Sequence, residues 1–134
     1  MTRMIFFNLP VKDLTASVDF FTALGFTFNP QFTDENATCM IVNDYAFVML
    51  LVEPFFKTFT SKGIADTSKE IEALTAVSVD SRDDVDVFLS TAIEGGATES
   101  REAQDQGFMY SRAFADLDGH VWEVIWMDPS GIEG

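Results

Sequence analysis

The stretch RAFADLDGHVWEVIW, Arg112 to Trp126, decides the fold. Its residues alternate in a strand-like way into Asp116-Leu117-Asp118-Gly119 and out of it again. Asp and Gly favour tight turns, and two alternating runs around such a turn read as a β-hairpin. The second run carries one carboxylate, Glu123, among apolar neighbours. A buried acid is costly unless it is ion-paired and hydrogen-bonded, so it needs a partner. Closing the hairpin over residues 116–119 pairs Ala115 with His120, Phe114 with Val121 and Arg112 with Glu123. Residues directly opposite one another share a face, which makes Arg112 the expected partner. On this register the Arg112–Glu123 pair joins Asn8 and Tyr110 as the polar part of a ligand pocket, or else stands as a structural ion pair. His120, the only histidine, falls in the turn on the face opposite Glu123. Trp122 and Trp126 share that opposite face and are expected to pack against a helix.

The hairpin ends a pattern that the chain states twice. From Met4, MIFFNLPV suits a strand, and KDLTASVDFFTALG follows with helical spacing. Leu14, Val18, Phe21 and Leu24 fall on one face of that helix, and Gly25 stops it. FTFNPQF, ATCMIV and YAFVMLLV read as three strands, the last two a hairpin over Asn43-Asp44. From Leu74, LTAVSVD reads as a strand and SRDDVDVFLSTAIEGG as a helix, with Ser81 and Asp84 as a capping box. Val85, Phe88 and Ala92 form its expected inner stripe, and Gly95 ends it. ATES, FMYSRAF and HVWEVIW supply the remaining strands. The order is βαβββ both times. Val11 and Val79 lie 68 positions apart, as do Phe20 and Phe88, which favours internal duplication over chance similarity of two α+β segments. The boundaries are module one at 1–52, a connecting lid or linker at 53–72, module two at 73–128 and a C-terminal tail at 129–134. In the connector, Phe55, Phe56 and Phe59 serve either as the cap of an apolar cavity or as anchors of the loop to the core.

Composition narrows the class. A chain of 134 residues, 47% hydrophobic and with 14 Phe, can bury a core and does not resemble a disordered segment. A net charge of −14 repels a phosphate backbone, so no nucleic-acid partner is expected. That charge serves solubility, or else a cleft that attracts a cationic ligand. The single cysteine, Cys39, allows no internal disulfide and is expected as a small buried residue in a reducing compartment. No export signal is read at the start, and no apolar run approaches the ~20 residues of a membrane span. The expected protein is soluble and cytoplasmic, with no membrane partner. Its apolar content favours a homodimer.

The two βαβββ units, LPVKDLTASVDFFTALGF opening the first and FADLDGHVWEVIW closing the second, resemble the vicinal oxygen chelate superfamily over essentially the whole chain. That group includes glyoxalase I, extradiol dioxygenases, fosfomycin-resistance enzymes and bleomycin-resistance proteins. Phe21 stands where tyrosine is common, and Leu117 replaces a proline. Among the branches, small bacterial glyoxalase-like proteins, described as lactoylglutathione lyases, are the most similar. The resemblance implies a single domain of the α+β class, with tandem βαβββ modules forming a curved, partly open mixed-sheet barrel and helices outside.

In the enzymes of that superfamily a His/Gln/Glu set holds one divalent cation. The corresponding positions here are Phe6, Leu50, Leu74 and Glu123, and three of the four are hydrocarbon. A shift of two residues offers Asn8, Val48 or Val52, and Ala76 instead, while Glu53 is reached only on the other face. A transition metal needs at least three protein ligands. No cofactor is therefore expected, and Glu123 is the one residue that could act in catalysis. The expected function is metal-free binding of a small organic molecule in an apolar cleft, with Phe6, Leu50, Phe55, Phe56 and Phe59 beside the polar group. The alternative is a glyoxalase-type lyase or isomerase using Glu123 as a base beside a metal. An extradiol dioxygenase needs two histidines and a carboxylate, and the chain has one histidine. No Gly-rich loop follows a strand, which leaves nucleotide binding without support.

Overall fold

A computed structural model describes residues 2–132, and the chain divides into two compact units, Met1–Ala65 and Asp66–Gly134. The first contains β1 (Ile5–Val11), α1 (Leu14–Ala23), β2 (Thr27–Asn29), β3 (Ala37–Ile41), β4 (Ala46–Val52) and a short α2 (Glu53–Phe56). A single 3₁₀ turn, Lys57–Phe59, continues α2. The second contains β5 (Leu74–Ser78), α3 (Arg82–Glu94), β6 (Thr98–Asp105), β7 (Met109–Ala115) and β8 (Val121–Met127), followed by a short α4 (Pro129–Ile132). The βαβββ order expected from the sequence is present in both. Each unit forms one four-stranded mixed sheet, ordered β1-β4-β3-β2 and β5-β8-β7-β6, and neither sheet closes into a barrel. The first strand of each unit runs parallel to the last, and the other pairs are antiparallel. Of the expected tail, 133–134 lies outside the described residues. No helix among the described residues is long and apolar enough to cross a membrane.

Local chemistry explains where the helices start. The Asp13 side chain accepts from Ala16 N at 3.0 Å and the Ser81 hydroxyl from Asp84 N at 3.0 Å, each satisfying a donor left open at a helix N-terminus. Asp83 and Asp84 in the first turn of α3 suit the positive end of its dipole. The buried stripes differ slightly from expectation. In α1 they are Ser17, Phe20 and Phe21, with Leu14, Val18 and Leu24 only half-buried. In α3 Leu89 joins Val85 and Ala92 in the core, while Phe88 is half-buried with its ring 6.1 Å from that of Phe114. A stripe wider than one residue per turn lets packing choose which neighbour goes deepest. β6 runs well past the expected ATES.

The register across each sheet sorts the faces. In the first unit Leu9, Leu50 and Thr38 lie side by side on the face that α1 covers, and Phe6, Asn8, Phe47 and Met49 lie on the other. In the second, Phe114, Trp122 and Val124 face α3 and are at most 1% exposed. Burying each such side chain contributes roughly 1.5–3 kcal/mol.

The β7–β8 connection corrects the sequence reading. Asp116 N donates to His120 O at 2.9 Å and Gly119 N to Asp116 O at 3.0 Å, which closes a loop of five residues, not four. Asp116 Oδ1 accepts from Asp118 N (2.9 Å) and His120 N (3.0 Å), while its Oδ2 accepts from Trp122 Nε1 (3.0 Å). Ala115 therefore pairs with Val121, Ala113 with Glu123 and Arg112 with Val124. One residue of slip moves every side chain to the opposite face. Arg112 is not the partner of Glu123.

Burial pushes the Asp116 carboxyl above the ordinary carboxylate value, with His120 and the three donors pulling against it. Gly119 sits at φ +81°, and Thr67 Oγ1 donates to Asp118 O at 2.6 Å across the turn. A Cβ on Gly119 would clash with that Thr67 oxygen. Gly119→Ala is expected to lower stability by about 1–3 kcal/mol, from left-handed strain plus that clash, read as a lower urea midpoint with an unchanged m-value.

Candidate functional site

A cavity of about 660 Å³ opens on the outward face of the first sheet. Phe6, Phe7 and Asn8 from β1 and Met49 and Leu51 from β4 form its sheet side. Phe55 and Phe56 from α2, Phe59 from the following turn, and Thr60 line the rest. The phenylalanines of the connector thus border a cavity. Their placement follows from Pro54 and Glu53 opening a helix directly after β4, which returns the chain toward the sheet. Phe55 and Phe59 meet edge to face at 5.1 Å, and Phe6 stacks on Phe47 at 5.0 Å. Leu50 does not take part. It is fully buried on the α1 side because β4 alternates and its neighbours Met49 and Leu51 take the cavity side.

Glu123 has a different partner from the one expected. Its Oε2 accepts from Arg101 Nη2 at 3.0 Å, and the same nitrogen donates to Ser111 Oγ at 3.1 Å. Arg101, Ala113, Glu123 and Ala76 lie in one row across β6, β7, β8 and β5. Tyr110 and Arg112 occupy the opposite face. Arg112 holds Glu99 through two hydrogen bonds of 3.0 Å and Asp86 through another of 3.0 Å, and the Tyr110 hydroxyl donates to Asp86 at 2.7 Å. Arg82 pairs with Asp105 and lies 4.7 Å over the Tyr110 ring. The polar group expected from the sequence is therefore split. Asn8 belongs to the module-one cavity, Glu123 to a pair with Arg101, and Tyr110 and Arg112 to a network anchored on α3.

The fold and sequence have close parallels. A family model described as bleomycin resistance protein-like N-terminal matches residues 3–43. A hypothetical protein from S. aureus is 26% identical with a TM-score of 0.79, the match covering 94% of this chain and 95% of that one. A glyoxalase/bleomycin resistance protein/dioxygenase family enzyme from Burkholderia phytofirmans is 15% identical with a TM-score of 0.80, covering 94% and 99%. The chain is similar to glyoxalase/bleomycin-resistance proteins, in fold along nearly its whole length and in sequence over residues 3–43. A fosfomycin resistance protein, FosX, from Mesorhizobium loti shares that fold at 15% identity and a TM-score of 0.66, covering 100% of this chain and 97% of that one. No curated protein matches in sequence.

The observed register allows the superfamily's metal positions to be tested residue by residue. The sheet faces concerned present Phe6, Asn8 and Met49 in the first unit and Leu74, Ala76 and Glu123 in the second. A divalent transition cation takes imidazole, thiolate or carboxylate donors. Of these positions only Glu123 supplies one, and Arg101 already holds it. Among the described residues no three His, Cys, Asp or Glu side chains are grouped so as to hold an ion. The donor set does not fit the metal.

Arg101, Met49, Leu51 and Thr60 were missed by sequence reasoning. Met49 and Leu51 follow from alternation once Asn8 is placed opposite Met49. Arg101 had no such signal, because register shifts on both sides of it break the alternation of β6.

Two outcomes are expected from this geometry. In a double-mutant cycle, Arg101→Ala and Glu123→Ala should couple by about 0.5–1.5 kcal/mol, and Arg112→Ala with Glu123→Ala by close to zero. Asp86 is held below the usual carboxylate value, first by the Tyr110 hydroxyl and then by Arg112. A depressed folded-state pKa adds stability above the unfolded value near 3.8 and loses it as pH falls through the folded value. The stability gap between the native chain and Asp86→Asn, followed by urea unfolding, should accordingly be widest at neutral pH and narrow below about pH 4.

Proposed function

We propose that this chain is a bleomycin-resistance-like binding protein that holds a small organic molecule in the apolar cavity of its first module, without a divalent metal. The cavity itself carries the reading. Its volume of about 660 Å³ lies in the range of small-molecule sites, and its lining is aliphatic, aromatic and thioether apart from the Asn8 amide and the Thr60 hydroxyl. The glyoxalase-type alternative needs Glu123 as a free base beside a metal electrophile. Its support is weaker, since Arg101 occupies Glu123 and the neighbouring positions lack donors. The same proposal keeps the homodimeric assembly and cytoplasmic setting expected from composition.

Titration calorimetry against small aromatic compounds, before and after treatment with a chelator, tests this reading. Binding is expected in both states. Phe59 is 69% exposed, so Phe59→Ala should leave the melting temperature nearly unchanged. The same change should weaken binding roughly threefold to tenfold through lost apolar contact. Stoichiometric nickel or zinc in the purified protein, together with turnover of methylglyoxal and glutathione, would overturn the proposal.

A further inference from the structure

The geometry of the module-one cavity points to the class of its guest, an inference that rests on the binding role proposed above. We infer an uncharged, planar aromatic molecule about two fused rings long, carrying adjacent N–H and C=O groups on one edge. It stacks on Phe6 and hydrogen-bonds to Asn8.

The shape follows from the aromatic walls. Phe6 and Phe47 are stacked with ring centroids 5.0 Å apart and planes 15° from parallel. Phe47 covers one face of the Phe6 ring, and Phe6, which lines the cavity, remains 50% exposed. Phe55 and Phe59 meet at 80°, forming an aromatic corner. A flat ring can stack offset on Phe6 while an edge meets that corner, both favoured geometries for aromatic pairs.

The length and the polar edge follow from β1. Asn8 is two residues beyond Phe6 on the same face, which places it about 7 Å along the strand. A ring centred over Phe6 with a second ring fused on the Asn8 side spans that backbone spacing. The amide is available. Its Nδ2 makes one long contact, 3.4 Å to Phe6 O, and its Oδ1 has no partner among the described residues. One donor and one acceptor on the same group match a lactam-like edge.

Neutrality follows from the lining, which contains no charged side chain. A charged guest would give up hydration with no counter-ion to replace it. The acidic surface, which by itself suggests a cation, acts at long range and does not supply that contact.

Calorimetric titration of the metal-free protein with three probes tests the assignment: quinolin-2-one, naphthalene and N-methylquinolinium. Quinolin-2-one should bind about fivefold to tenfold more tightly than naphthalene, as one net hydrogen bond allows, and N-methylquinolinium more weakly than quinolin-2-one. Asn8→Ala, an exposed change, should erase the quinolin-2-one preference by weakening that probe about fivefold to tenfold more than naphthalene. Equal affinities for quinolin-2-one and naphthalene, tightest binding of the cation, or an equal loss of both neutral probes in Asn8→Ala would overturn the assignment. Should naphthalene bind and weaken in Phe59→Ala in any of those cases, the cavity still binds and only the guest class falls. Binding of no probe by the native chain overturns both.

Discussion

The loop at 116–120 is wound around a single buried carboxylate. Asp116 accepts from the backbone on its own loop and from the indole of Trp122, the largest fully buried side chain of its unit. Desolvation raises the pKa of that carboxyl, so its hydrogen bonds offset a real cost. What they secure is a count of five residues in the loop. That count sets the β7–β8 register, and the register decides which residues of β8 face α3 and which face away. With Trp122 and Val124 against the helix, Glu123 must lie on the other side.

The two modules use one scaffold for different chemistry. Asn8 and Met49 occupy in the first sheet the neighbouring positions that Ala76 and Glu123 occupy in the second. In the first module the pair borders an aromatic cavity roofed by the chain that leaves β4. In the second, the acid is neutralised across the sheet by Arg101, which a locally irregular β6 brings into the same row. A guanidinium is always charged and presents several donors, so it can satisfy a half-buried carboxylate and a serine hydroxyl together. On the reverse face Arg112 joins β7 to α3 and β6 through Asp86 and Glu99. Each arginine therefore ties elements together within one face of the sheet, and neither bridges to the other face.

Much of this was legible in the sequence. Two hydrophobic periods, one near 3.6 and one of 2, marked helices and strands in the same order in both halves. Ser81 ahead of a periodic run marked a helix start, and its cap is formed in the structure, whereas the cap at Asp13 emerged only there. The cluster Phe55, Phe56 and Phe59 was visible as an aromatic connector. The site was less legible. Leu50 and Met49 are both apolar, and no local rule says which of two adjacent hydrocarbons on a buried strand faces a helix and which a cavity.

Element order, its repetition in the two halves and the cap at Ser81 were determined by the sequence alone, because each depends on residue type and short-range spacing. Which face each strand residue occupies was decided only by the tertiary structure. A strand repeats every two residues, so an error of one in a loop inverts every assignment beyond it. The length of that loop depended on Asp116 reaching Trp122, and the position of Arg101 on an irregularity in its strand. Both are contacts that exist only once the sheet and helix have packed.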